Sequence, residues 1–311
     1  MTNRSLSNDD PLDDFARREI TLGDVTKIVH VAGSGPAVVV MAEMPGISPH
    51  VARFSRWVRD AGFTVYMPSL FGRDGAVASA EEGLAVYEQA CISAEFCAFA
   101  ANASSPVTQW LRALARQAHQ ECGGPGVGAI GMCFTGNFAL SMMLESAMLA
   151  PVLSQPALPL KDRAGLEISR EELATIRQRL EREDLTVLAY RFKGDKFCRA
   201  ERFAAYAEAL GDRFVARELP DSAANTNVPP FVAQYVRCPP QRRDRSFDRR
   251  SGSANGGGAR RDHILFCSSP SGAGAILECG RPMIGLRDGK RQSARNNVCF
   301  TSKSDRTVAS Q

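Results

Sequence analysis

One cysteine sits where a side chain could do chemistry. In Gly131-Met132-Cys133-Phe134-Thr135-Gly136 it is bracketed by glycines, with the small, β-branched run 126–130 before it and apolar residues at helical spacing from Asn137 to Leu144 after it. A strand, a tight turn and a helix with a nucleophilic residue at the apex is the geometry of a nucleophile elbow. Such a turn aims the side chain above the sheet and leaves the next amide free to face a developing oxyanion. Buried structural cysteine is the plainer reading, since free cysteine is among the most buried residue types. A second chemical residue, Glu43, directly follows the apolar run Ala37 to Ala42, an unusual place for a carboxylate. Asp195 lies on a loop between a strand pattern and a helix pattern, and Arg73 on the loop Ser69 to Ala78. For these two, helix capping and a solvated loop arginine are the ordinary alternatives.

The elements that must position these residues follow from periodicity. Ile20 to Val31 and Ala37 to Ala42 read as strands; the second is continuous enough to be covered on both faces. Ser48 and Pro49 open a helix with Val51, Phe54, Trp57 and Val58 inward. Residues 63–67 form a strand, 80–100 a helix, and a further helix starts at Ser105-Pro106. After the cysteine come a strand at 148–153, a helix with a Ser169/Glu172 capping box, a strand at 186–192, a helix ending near Gly211 and a last strand at 214–219. Alternating strands and helices imply an α/β fold: a mostly parallel sheet covered by helices on both faces.

Composition limits the function classes. The chain has 311 residues, 44% hydrophobic, with a formal net charge of +4. That charge is uneven: residues 229–311 hold 15 Lys and Arg against 6 Asp and Glu, leaving the body mildly acidic. Nine irregularly spaced cysteines with no C-x-x-C pair and only four histidines point to a reducing, cytoplasmic setting, with neither a disulfide framework nor a metal site. No apolar run is long enough for a membrane span, and the polar start carries no secretory pattern. Residues 1–18 read as a flexible arm, 19–228 as the domain, and 229–311 as a disordered basic tail of low complexity.

Taken together, Ala42-Glu43-Met44-Pro45-Gly46, Leu70-Phe71-Gly72-Arg73, the Cys133 turn and Gly194-Asp195-Lys196-Phe197 resemble, in order, the dienelactone hydrolase family of the α/β-hydrolase superfamily. The resemblance runs from about residue 20 to about residue 225. It implies a three-layer α/β-hydrolase fold and a cofactor-free hydrolase acting on a small-molecule lactone or activated carboxylic ester. By that likeness Cys133 is the nucleophile, the amides of Phe134 and Met44 form the oxyanion hole, and Asp195 orients a histidine. Glu43 is then the buried carboxylate that controls the thiol, and Arg73 binds a substrate carboxylate. Two departures stand out. Thr135 replaces the glycine usual just before Gly136, and the loop from Pro220 to Phe231, where the histidine belongs, contains none. His30 and His119 read as structural, His50 opens a helix in the wrong element, and His263 is in the tail.

Lost periodicity, reversed charge and the missing histidine begin within a few residues of one another. That is the pattern an out-of-frame reading of a GC-rich gene would leave, and it implies impaired activity. The alternative is a non-catalytic scaffold binding a polyanion through the tail. Scattered charges and scarce aromatics there argue against nucleic acid.

Overall fold

The computed structural model describes residues 4–223 and the backbone of two short strands, β9 (Leu265–Ser268) and β10 (Gly274–Leu277), which pair antiparallel. The rest of the segment read as a disordered tail lies outside the described residues, as does the loop beyond Ala223.

Eight strands form one sheet in the order β1-β2-β4-β3-β5-β6-β7-β8. From β4 (Thr64–Pro68) through β3 (Ala37–Met41), β5 (Val127–Met132), β6 (Met148–Ser154) and β7 (Val187–Phe192) to β8 (Phe214–Leu219) all pairs are parallel. At one edge β2 (Val25–Gly33) runs against the rest, pairing antiparallel with both β4 and β1 (Ala16–Leu22). The run at β3 is buried throughout, and its side chains alternate between two cores. Ala37, Val39 and Met41 join Trp110, Leu111 and Leu114 of α3 (Val107–Cys122) on one face. Val38 and Val40 meet Val51, Phe54 and Val58 of α1 (Pro49–Asp60) on the other. The first core also takes in α5 (Arg170–Arg182) and α6 (Ala200–Leu210) through Ile176, Leu180, Phe203 and Tyr206. Helix α1 starts as its sequence indicates: the Ser48 hydroxyl accepts from the Val51 amide, with Pro49 in the first turn.

Three expectations are corrected. The single strand expected from Ile20 to Val31 is a hairpin turning at Gly23 (φ +61°), with Thr21 and Thr26 hydroxyls bonded across it at 2.8 Å. The supposed arm is held down from Asp10 onward. Asp10 accepts from Arg56 at 2.6 and 2.8 Å, Asp14 from Arg56 and Arg59, and Leu12 and Phe15 enter the α1 core. The helix expected over 80–100, α2 (Ala80–Ile92), stops where Ser93 turns extended; the following turns are tied down by the Cys97 amide donating to Ser105 Oγ at 2.8 Å.

Candidate active site

At the C-terminal end of β5 the chain leaves an extended Met132 and turns through Cys133, whose φ of +53° lies in the left-handed region that non-glycine residues seldom adopt. The flanking glycines are sterically required. A Cβ on Gly131 would stand 2.2 Å from the Thr135 carbonyl oxygen, and one on Gly136 would stand 2.5 Å from Pro156 Cα. The Cys133 carbonyl accepts from the amides of Gly136 (3.0 Å) and Ala157 (2.9 Å), so the turn is fixed from two sides. A short helix, α4 (Phe138–Ser141), and a 3₁₀ turn (Met142–Leu144) follow.

Thr135, the departure from the family pattern, is fully buried and occupied. Its hydroxyl accepts from the Met132 amide at 2.9 Å and lies within donating distance of the carbonyls of Met41, Ala42 and Met132. A β-branched side chain therefore fastens the end of β3 to the turn after β5. Thr135→Val keeps the shape but leaves the Met132 amide unpaired. It is expected to cost about 1–3 kcal/mol in urea denaturation; an unchanged midpoint would show that the hydroxyl fastens nothing.

Glu43 and Asp195 both act on the Cys133 thiol. Burial is the main cause that pushes this thiol well above the usual range; Glu43 and then Asp195 add to it, while the Phe134 amide opposes them. Glu43, 3% exposed, is itself pushed well up by burial, and its Oε2 has no partner among protein atoms. Asp195 is not the cap of α6, whose capping residue is Arg199. Its Oδ1 accepts from the amides of Phe197 (2.8 Å) and Cys198 (2.9 Å), which fixes the carboxylate on its loop. Cys133 is accordingly expected to alkylate slowly with iodoacetamide at neutral pH. Glu43→Gln is expected to speed it only a few-fold, because burial remains. Rapid labelling of the parent, unchanged by the substitution, would break the link between the two side chains.

The other sequence candidates are placed as follows. Phe134 is buried, its ring edge-on to Phe71 and Phe96, and Met44 is buried beside Glu43. Arg73 is 62% exposed and donates to Asp9 at 2.6 Å. It lines a cavity of about 430 Å³ together with Pro45, Gly46, Val86 and Gln89. Cys133 and Glu43 are not among that cavity's walls, so the structure brings Arg73 to the loop carrying Met44 and not to the thiol itself. Among the histidines, His30 bonds Asp74 at 2.9 Å. His50 is buried in the first turn of α1, where burial and then Arg53 hold it below its usual range. His263 lies outside the described residues.

Three buried polar features escaped the sequence reading. Gln155 follows β6 with φ +37°, and nothing local in the sequence marks it. Glu167, fully buried, accepts from the Ser105 amide at 2.7 Å and from Asn137, which in turn accepts from Tyr206 at 2.6 Å. The buried Arg202 donates to the carbonyls of Pro156 (3.0 Å) and Pro159 (2.7 Å), holding the segment that packs against the turn. Among the described residues no group of side chains suited to a metal ion is found, and no helix is long and apolar enough to cross a membrane.

A mostly parallel eight-stranded sheet with helices on both faces, and a tight turn at Cys133 after a central strand, has the layout of the α/β-hydrolase fold. Residues 26–169 match the model of the dienelactone hydrolase family. Similar solved structures include a dienelactone hydrolase-like promiscuous phosphotriesterase from metagenomic libraries, at 18% identity. The match covers 66% of this chain and 81% of that one, with a TM-score of 0.47. A putative dienelactone hydrolase from Klebsiella pneumoniae subsp. pneumoniae matches at 16% identity over 71% and 89%, also with a TM-score of 0.47. No curated protein matches the chain.

Proposed function

We propose that this hydrolase opens a lactone or activated carboxylic ester through Cys133, with activity impaired by the lack of a histidine on the loop after β8. The observation that carries the reading is a left-handed Cys133 whose thiol feels both Glu43 and Asp195 at the sheet's C-terminal edge. In the reaction, the Cys133 sulfur attacks the carbonyl carbon while the amides of Phe134 and Met44 stabilise the oxyanion. The C–O bond then breaks, the leaving oxygen takes a proton, and water cleaves the thioester to restore the thiol. Glu43 controls the thiol's protonation, and Asp195 would orient a base. The test is hydrolysis of cis-dienelactone and p-nitrophenyl acetate. Slow release by the parent, lost in Cys133→Ala, is expected; release unaffected by that substitution would exclude the proposed nucleophile.

A further inference from the structure

Two buried polar atoms at this edge of the sheet have no partner among protein atoms: Glu43 Oε2 and Gln155 Nε2, in residues 3% and 1% exposed. Buried polar groups are nearly always paired, so each orphan calls for an explanation. Their placement supplies one. The strands run β3-β5-β6, with Glu43 just past β3, Cys133 just past β5 and Gln155 just past β6. Met132 and Ser154 are register partners, which makes Cys133 and Gln155 the next residues of neighbouring strands. The nucleophile is thus flanked by an orphan carboxyl on one side and an orphan amide on the other.

Gln155 is also held in place. Its backbone sits at φ +37° and its N–H donates to the Tyr190 carbonyl at 2.7 Å. The Ser154 hydroxyl donates to Gln155 Oε1, which leaves the NH₂ end of the amide as the free end. Strained backbone in a non-glycine residue tends to gather at functional sites. A purely structural side chain here would be served by leucine or methionine of similar volume, with no polar group left unpaired.

We propose that Gln155 contacts the substrate: its side-chain amide donates a hydrogen bond to an acceptor oxygen on the acyl portion of the ester or lactone held at Cys133. This rests on the assignment of Cys133 as nucleophile. Sites built to hydrogen-bond a substrate atom discriminate against the analogue lacking it, because the site's own group stays unpaired. Gln155 therefore selects acyl groups that carry an oxygen near the carbonyl over hydrocarbon ones of the same shape.

The experiment compares p-nitrophenyl methoxyacetate with p-nitrophenyl butyrate, which places a methylene where the ether oxygen stands. Acylation of Cys133 is followed as a nitrophenolate burst, each rate divided by that with free cysteine. The parent should prefer the methoxy ester. Gln155→Leu and Gln155→Met, which keep no donor, should reduce that preference about tenfold. Equal slowing of both esters would make Gln155 a packing residue and overturn the proposal. If neither ester acylates the parent, the nucleophile assignment fails on its own, and binding decides for Gln155. The side-chain amide resonance of Gln155, assigned by its loss in Gln155→Leu, is followed in Cys133→Ala protein titrated with methyl methoxyacetate, which carries the acyl oxygen. A shift of that resonance supports the contact; no shift up to the highest soluble concentration refutes it.

Discussion

Replacing the residues after Asn225 with a dienelactone hydrolase-like end, carrying a histidine on the loop after β8, is expected to raise ester turnover at least about 10²-fold. A positioned general base typically contributes about 10²–10⁴-fold. Everything else such a base would need is already in place: a thiol at the turn, a carboxylate fixed by the Phe197 and Cys198 amides, and buried Phe134 and Met44. The thiol needs the help, since burial and the neighbouring acids push it well above its usual range. Cys133→Ser in the parent should not improve turnover, because an alcohol depends on a base more than a thiol does. Steady-state rates on cis-dienelactone for parent and chimera are the measurement. A parent that already turns over as fast as the chimera would mean that His50 or His263 serves as base, and substituting each in turn would show which.

Glu167 should make the fold lose stability as pH rises towards neutrality. Its carboxyl is fully buried, and burial raises its pKa from 4.5 to about 7 against the bonds from Ser105 and Asn137. A carboxyl whose folded value is raised binds its proton more tightly in the folded state. Its contribution is therefore fully present below pH 4.5 and is lost as pH climbs through about 7. The loss is on the order of 3 kcal/mol, or a melting shift of roughly 6–12 °C for a domain of this size. Other carboxylates carry the opposite sign; Glu121, for one, is held down at about 2 mainly by Arg18. The informative quantity is consequently the stability difference between parent and Glu167→Gln. Between pH 4.5 and 8 it should move in the variant's favour by that amount in urea denaturation. A difference independent of pH would show that Glu167 ionises normally in the fold.

Much of the framework was legible because it is written in local patterns. The continuous apolar run at β3, the capped start of α1 and the glycines around Cys133 each carry a signal within a few residues. What was missed depends on distant partners. The hairpin of β1 and β2 lies at the sheet's edge, where half-exposed residues blur the alternation. The N-terminal segment docks through Asp10, Leu12 and Phe15, too few and too mixed to show a period, and its ion-pair partners on α1 lie more than forty residues away.

The site divides in the same way. Cys133, Glu43 and Asp195 stand in recognisable turns, and the fold places both acids where they act on the thiol. Arg73 was legible as a loop arginine, but its pairing with Asp9 and its place on a separate cavity wall were not. Thr135 looked like a departure until its hydroxyl was seen joining two strand ends. Gln155 carries no motif; only its burial, its backbone angle and an unpaired amide distinguish it.

The most direct test of Cys133 as nucleophile is to trap the acyl-enzyme. The parent is mixed with excess p-nitrophenyl acetate, quenched in acid within the burst, digested and mapped by mass spectrometry. Acid preserves a thioester, so the acetyl group should be found on the peptide carrying Cys133 and not on that carrying the buried Cys198. An acetyl group on another residue, with Cys133 unmodified while nitrophenolate is released, would contradict it.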